Sequence, residues 1–212
     1  MSRAPELARF LARRGIRDER VLAAIAAVPR ELFVPEDVRR HAYADRALPI
    51  GHDQTISQPY MVAAMLEALE LEGGRALEVG TGSGYQAAVL AELADEVVTI
   101  ERVPELAERA RATLEEAGYG RVEVRVGDGT LGVPERAPYD GIVVAAAAPA
   151  VPEALYEQLA DGGHLVVPVG TVRDQWLEVV ERGATGPERR RTIPCRFVPL
   201  LGSEGFDVRR HG

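Results

Sequence analysis

The chain has 212 residues, 46% of them hydrophobic, and a net charge of −8, a balance suited to a globular protein with a real core. The acidic balance argues against a nucleic-acid partner, whose phosphates call for basic surface. No run of about 18 uncharged apolar residues exists, which argues against a membrane span. The single Cys195 rules out an internal disulfide framework and a cysteine-rich metal site. Every basic residue other than histidine is Arg, and Asn is absent as well; coding bias and heat adaptation both fit that usage. The first residues lead into a helix carrying Glu6, Arg9 and Arg13, not into the apolar stretch of a signal peptide. A cytoplasmic protein is expected, with a monomer favoured. Arg189 to Arg191 read as a solvated turn, and Arg209 with Arg210 as a frayed tail.

In chain order, residues 5–14 have helical spacing (Leu7, Phe10, Leu11), with Gly15 as a C-terminal cap. Asp18 caps a second helix through Ala27, stopped by Pro29. Residues 29–59 form a turn-rich stretch with prolines at 29, 35, 49 and 59, and a short helix after Pro35. A further helix is predicted from Met61 to Leu71. From residue 75 strands and helices alternate. The strands are 76–79, 97–100, 122–126, 141–145 and 165–167; the helices are 86–93, one from Pro104 to near Gly118, and 152–159. Short apolar runs between helices are what strands buried on both faces look like, and the alternation implies a parallel sheet with helices on both sides. Residues 176–180 and 196–200 read as two antiparallel edge strands around a Gly/Pro/Arg turn. The expectation is one α/β domain, Rossmann-like, with an N-terminal helical cap (1–74) and an open sheet (75–212).

The first strand-to-helix junction is Glu78-Val79-Gly80-Thr81-Gly82-Ser83-Gly84. Glycine allows positive φ and close ligand approach, and open α/β sheets bind ligands at the carboxyl ends of their strands. Glu101 ends the next strand about 20 residues on, where a carboxylate accepts from both hydroxyls of a neutral ribose. Asp128, in Gly127-Asp128-Gly129, could accept from an adenine amino group or could simply make a turn. The G-x-G-x-G spacing with Glu78 before it differs from the dinucleotide loop and resembles the first motif of S-adenosylmethionine-dependent methyltransferases.

A second string, Gln54-Thr55-Ile56-Ser57-Gln58-Pro59, strongly resembles the signature of the protein-L-isoaspartate O-methyltransferases. So do the run from Leu77 to Leu90, Gly127 to Gly129, Ala137 to Ile142, Ala146 to Pro149, Leu159 to Gly163, Val167 to Gly170 and Arg196 to Leu200. The match covers nearly the whole chain in order. Two departures stand near the acceptor region: His52-Asp53 where the family usually has Gly before the Gln-Thr-Ile-Ser string, and an unfamiliar tail after Gly205.

The resemblance implies transfer of a methyl group from S-adenosylmethionine, with S-adenosylhomocysteine as product, to the free α-carboxylate of L-isoaspartyl residues in damaged proteins and peptides. The ester then closes to a succinimide, whose hydrolysis returns some normal aspartate. It also implies that Ser57 is the catalytic serine. The cofactor would be held by Gln54, Thr55, Ile56, Glu78, Gly80, Thr81, Gly82, Ser83, Gly84, Glu101, Asp128 and Gly129. Ser57 with Ala146, Ala147 and Ala148 would line the acceptor groove, where small side chains leave room for a peptide backbone.

The chemistry asks for no general base. A carboxylate with a pKa of about 4 is already ionised at neutral pH, so alignment is the remaining task, worth up to roughly 7–11 kcal/mol. A serine hydroxyl can orient a carboxylate oxygen without neutralising it. His41, His52, His164 and His211 have no ligand spacing, and no metal is expected. The competing reading is a methyltransferase for a small molecule or nucleic acid. Against it, an Asn/Asp-Pro-Pro-aromatic string is absent, Ala145 to Pro149 standing in its place, and Cys195 lies far from the cofactor loop in sequence.

Overall fold

The structure is a computed structural model that describes residues 3–171 and 173–207. Arg209, Arg210 and His211 lie outside the described residues. Helix α1 (Ala4–Arg13) buries Leu7, Ala8 and Leu11 on one stripe. It packs on helix α2 (Glu19–Ala27). Gly15, at φ +106°, carries the chain between them. Asp18 Oδ1 accepts from the backbone N–H of Arg20 at 2.8 Å and of Val21 at 3.4 Å, satisfying two of the donors a helix start leaves open. Two 3₁₀ turns follow, Arg30–Phe33 and Glu36–His41; the short helix expected after Pro35 is of this tighter kind.

The turn-rich stretch also contains a hairpin that the sequence did not disclose. Strands β1 (Leu48–Gly51) and β2 (Gln54–Ile56) pair antiparallel, Leu48 opposite Ile56. The two-residue turn between them is His52-Asp53, both at positive φ (52° and 55°). Such turns match the twist of paired strands and favour Asn or Asp followed by Gly. A His-Asp pair gives no such signal, and strands of three and four residues are too short to show alternation. Helix α3 (Pro59–Ala68) starts directly after the Ser57-Gln58 link and ends three residues earlier than expected.

A seven-stranded sheet makes up the rest. Its strands are β3 (Arg75–Val79), β4 (Glu96–Glu101), β5 (Glu123–Val126), β6 (Tyr139–Val144), β7 (Leu159–Gly170), β8 (Gln175–Gly183) and β9 (Gly186–Cys195). Their spatial order is β5-β4-β3-β6-β7-β8-β9. The first five are parallel and the last two antiparallel. Helices α4 (Tyr85–Ala91), α5 (Pro104–Glu116) and α6 (Glu153–Glu157) connect them. Successive strand residues feed opposite cores: Ala76, Val97, Val124 and Val143 join the helices of the N-terminal cap, α4 and α5. Leu77, Val98, Ile142 and Val144 pack with Val133 and Leu155 on the other face. The α/β class and mostly parallel sheet agree with the sequence.

Two strand boundaries correct the sequence reading. Strand β7 begins at Leu159, six residues before the apolar run that marked it, and passes through Gly162-Gly163. The last strand is Gly186–Cys195, not 196–200. The three arginines read as a solvated turn are exposed residues of this edge strand, where charge discourages pairing with other chains. Residues 196–200 instead cross the carboxyl ends of the parallel strands, with Pro199 bridged to Ala147.

The strand order places the site. From β3 the chain moves outward to β4 and β5, then returns to β6 on the opposite side of β3. Connections therefore diverge at β3 and β6, and a crevice opens outside their carboxyl ends.

Candidate active site

A cavity of about 450 Å³ occupies that crevice. Its walls include the glycine loop (80–83), the ends of β3 and β4, the segment from Gln54 to Gln58, and residues 194–201. Gly80, Gly82 and Gly84 have φ of +93°, +52° and +86°, which residues with a Cβ rarely adopt. Gly82 N–H donates to Glu101 Oε2 at 3.0 Å, and Val103 N–H donates to Glu101 Oε1 at 3.0 Å. The carboxylate at the end of β4 thus fixes the loop while lying in the pocket wall, 6% exposed.

Glu78 is fully buried in the same wall. Thr99 Oγ1 donates to Glu78 Oε2 at 2.6 Å and lies 2.6 Å from Thr81 Oγ1. Glu78 Oε1 has no partner among the described residues. Burial pushes the Glu78 carboxyl up to about 8; the Thr99 hydrogen bond opposes this and the Glu101 charge adds to it. A buried carboxylate oxygen left open at a pocket wall is costly unless something cationic or a donor meets it. The α-ammonium of an amino-acid ligand answers that need, so the residues present fit S-adenosylmethionine.

Ser57 stands on the other side of the cavity, half-buried, in the link between β2 and α3. The geometry of that link is fixed by side chains around it. Arg30 Nη2 donates to the Ser57 carbonyl at 2.6 Å. Asp45 accepts from Gln58 Nε2 and from Tyr60 N–H, both at 3.0 Å, holding the first turn of α3. The hairpin itself lies on the glycine loop, with Ile50 Cδ1 only 3.4 Å from where a Cβ on Gly82 would stand. Arg109 of α5 donates to the Ile50 carbonyl at 2.6 Å and anchors the hairpin.

Of the residues expected at the cofactor, Gln54, Thr55, Ile56, Glu78, Gly80, Thr81, Gly82, Ser83, Glu101 and Gly129 all line the cavity. Gly84 stands just outside it as the N-cap of α4. Asp128 is placed differently from the expectation. Its Oδ1 accepts from the Thr130 amide and hydroxyl at 3.0 and 2.7 Å, and its Oδ2 from the Ser203 amide and hydroxyl at 2.8 and 2.9 Å. Its carboxyl lies below the usual range: burial alone would raise it, and the Thr130 and Ser203 hydrogen bonds outweigh that. Both oxygens are engaged by the chain itself, and Asp128 is absent from the cavity wall.

The alanine run also departs from expectation. Ala146 faces the cavity, but Ala147 and Ala148 are fully buried. The Ala147 N–H donates to Val198 O at 2.8 Å and its carbonyl accepts from Leu200 N–H at 2.7 Å. Ala148 exchanges bonds with Pro168 and Gly170 in the same way. These backbone groups, expected to leave room for a peptide, are taken by the protein itself: those of Ala147 by segment 198–200 and those of Ala148 by β7. That segment, with Arg102 and Arg196 in the wall, is what sequence reasoning missed. Neither arginine makes an ion pair among the described residues, and their only sequence signal was charge beside a motif.

The model of the protein-L-isoaspartate (D-aspartate) O-methyltransferase family matches residues 2–205. Curated proteins named protein-L-isoaspartate O-methyltransferase are similar at 62% identity in Anaeromyxobacter dehalogenans (92% of this chain, 95% of that one). In Methanoregula boonei the figure is 57% (93% and 91%). A solved protein-L-isoaspartate O-methyltransferase superposes with a TM-score of 0.85 at 31% identity, over 94% of this chain and 66% of that one. A structure from Plasmodium falciparum, titled a putative enzyme of this kind in complex with S-adenosyl-L-homocysteine, superposes with a TM-score of 0.83 at 27% identity, over 93% and 98%. A glycine loop and the Ser57 link that face each other across one crevice, in a chain that the family model matches over residues 2–205, agree with one conclusion: this protein belongs to the protein-L-isoaspartate (D-aspartate) O-methyltransferase family.

Proposed function

We propose that this enzyme methylates the free α-carboxylate of L-isoaspartyl residues in damaged proteins and peptides, starting repair through a succinimide. The observation that carries the reading is the single cavity shared by Ser57 and the glycine loop with Glu78 and Glu101. S-adenosylmethionine supplies an electrophilic methyl group on a sulfonium. The chain's own residues supply binding and alignment. Glu101 is offered to the ribose hydroxyls and Glu78 Oε1 to the ammonium end. Ser57, whose hydroxyl makes no hydrogen bond among the described residues, is free to donate to one oxygen of the acceptor carboxylate and hold the other in line. The acceptor carboxylate arrives already ionised at neutral pH, so the reading needs no general base. Arg102 and Arg196 place two guanidinium groups in the cavity wall, where an anionic acceptor can meet them.

The test is base-labile methyl incorporation into an isoaspartyl peptide and its normal aspartyl twin. Labelling of the first alone is expected, and equal labelling of both, or of neither, refutes the reading. Ser57→Ala should retain affinity for S-adenosylhomocysteine and lose turnover on the order of 100-fold, the scale of misplacing an acceptor by about 1 Å. Wild-type turnover in that variant removes Ser57 from the mechanism.

A further inference from the structure

Arg30 is 0% exposed and makes no ion pair among the described residues. A guanidinium buried with no carboxylate in direct contact is costly, so its surroundings must hold it with some strength. Its Nε donates to the Ala42 carbonyl at 2.9 Å and its Nη2 to the Ser57 carbonyl at 2.6 Å. Its central carbon lies 4.6 Å from the centre of the Tyr85 ring, within cation–π range. Burial pulls its pKa down to about 10, with Tyr85 and Asp45 opposing the drop, so the group is charged at neutral pH. The contacts reach three segments far apart in sequence: the residue after the second 3₁₀ turn, the link that carries Ser57, and the first residue of α4, directly after the glycine loop. A rigid fork that serves two carbonyls while stacking on a ring is available to Arg and not to Lys.

We propose that Arg30 is a positioning residue for methyl transfer. It ties the Ser57 carbonyl to Ala42 and stacks on Tyr85, so it sets the acceptor loop at a fixed distance from the glycine loop. It touches no reacting atom and acts through Ser57; the proposal rests on the role given to Ser57 above. A merely structural arginine would lower the melting temperature and leave turnover of the folded enzyme alone. A positioning arginine changes kcat and shares its effect with Ser57.

The experiment is a double-mutant cycle of Arg30→Lys and Ser57→Ala, assayed at a temperature where all four proteins are folded. It reads kcat, KM for an isoaspartyl peptide, and affinity for S-adenosylhomocysteine. Arg30→Lys should lower kcat on the order of 10-fold, a fraction of what a 1 Å displacement costs, and leave cofactor affinity within about twofold of wild type. The double variant should turn over no more slowly than Ser57→Ala alone, because residues that act through one another do not add. If Arg30→Lys does not fold, Arg30→Gln, which keeps a donor without the charge, takes its place with the same expectation. Wild-type kcat in the Arg30 variant overturns the proposal, and so does a double variant whose loss is the product of the two single losses. A Ser57→Ala enzyme with undiminished kcat overturns the reading of Ser57, and this proposal with it.

Discussion

Glu101→Gln is the sharpest test of how the cofactor is held. In the wild type each carboxylate oxygen already accepts one backbone N–H, Oε2 from Gly82 and Oε1 from Val103, both at 3.0 Å. Each oxygen keeps lone-pair capacity for a ribose hydroxyl. The amide of glutamine has only one acceptor oxygen. Whichever way it turns, its NH₂ faces a backbone N–H, and either the glycine loop or the start of α5 loses its anchor. The remaining oxygen is neutral, so its hydrogen bond to the ribose also weakens. A hydrogen bond to a charged group is worth about 1.5–3 kcal/mol, which corresponds to a loss of affinity of about 10- to 100-fold. Calorimetric titration with S-adenosylhomocysteine measures it, with a thermal melt to establish that the variant is folded. Affinity equal to wild type in a folded variant would mean that the ribose and the loop are held by other groups, and the account of Glu101 would have to be withdrawn.

Glu78 gives a pH dependence. Its folded pKa, about 8, stands above the unfolded carboxylate value of about 4.3, so its contribution to stability is fully present below the unfolded value and is lost as pH rises through the folded one. Ligand-free wild-type protein should therefore lose stability between pH 5 and 9, and Glu78→Gln should flatten that decline; parallel curves in urea denaturation would refute it. Ageing should damage the enzyme at Asp161-Gly162 before its other Asp-Gly pairs, making it an acceptor for fresh enzyme. The Asp161 side chain is 99% exposed, whereas Asp140 accepts from the Arg75 N–H at 2.7 Å and Asp128 is held on both oxygens. Mass spectrometry of heat-aged protein that finds isoaspartate first at residue 128 or 140 would contradict the ranking.

What was legible in the sequence was what local chemistry determines. Asp18 caps a helix because its carboxylate reaches two N–H groups within its own turn, and Pro104 starts α5 because a helix start does not need its missing donor. Gly80, Gly82 and Glu101 lie within about 20 residues of one another at the carboxyl ends of adjacent parallel strands, so spacing alone relates them. What was not legible depends on partners distant in the chain. The hairpin at residues 48–56 is held by Arg109 of α5, and nothing within its own seven strand residues announces it. The final strand carries Arg189 to Arg191 on an exposed edge, where polarity mimics a turn. Residues 197–200 look like a strand because they are apolar, yet they cover the alanine run that follows β6, with Pro199 bridged to Ala147.

The displaced role of Asp128 bears on how the chamber is closed. Part of its wall, residues 194–201, comes from the end of the described chain and must be held against a loop that follows β5. Asp128 does this from below: with both oxygens it engages Thr130 and Ser203, and Thr130 Oγ1 accepts from the Glu204 N–H at 3.1 Å. The approach is so close that a Cβ on Gly202 would stand 2.0 Å from Asp128 Oδ1, so the sequence needs glycine there. Glu204 in turn accepts from the Ala154 N–H at 3.1 Å, at the start of α6. The neighbouring Gly129 belongs to the cavity wall. One short loop thus faces the cofactor cavity with its glycine and the C-terminal segment with its aspartate. Two walls of the cavity share a backbone there, just as Arg30 on the opposite side joins the Ser57 link to the first residue of α4. In the proposed reaction the nucleophile arrives already ionised, so what ties of this kind between the two walls bear on is alignment.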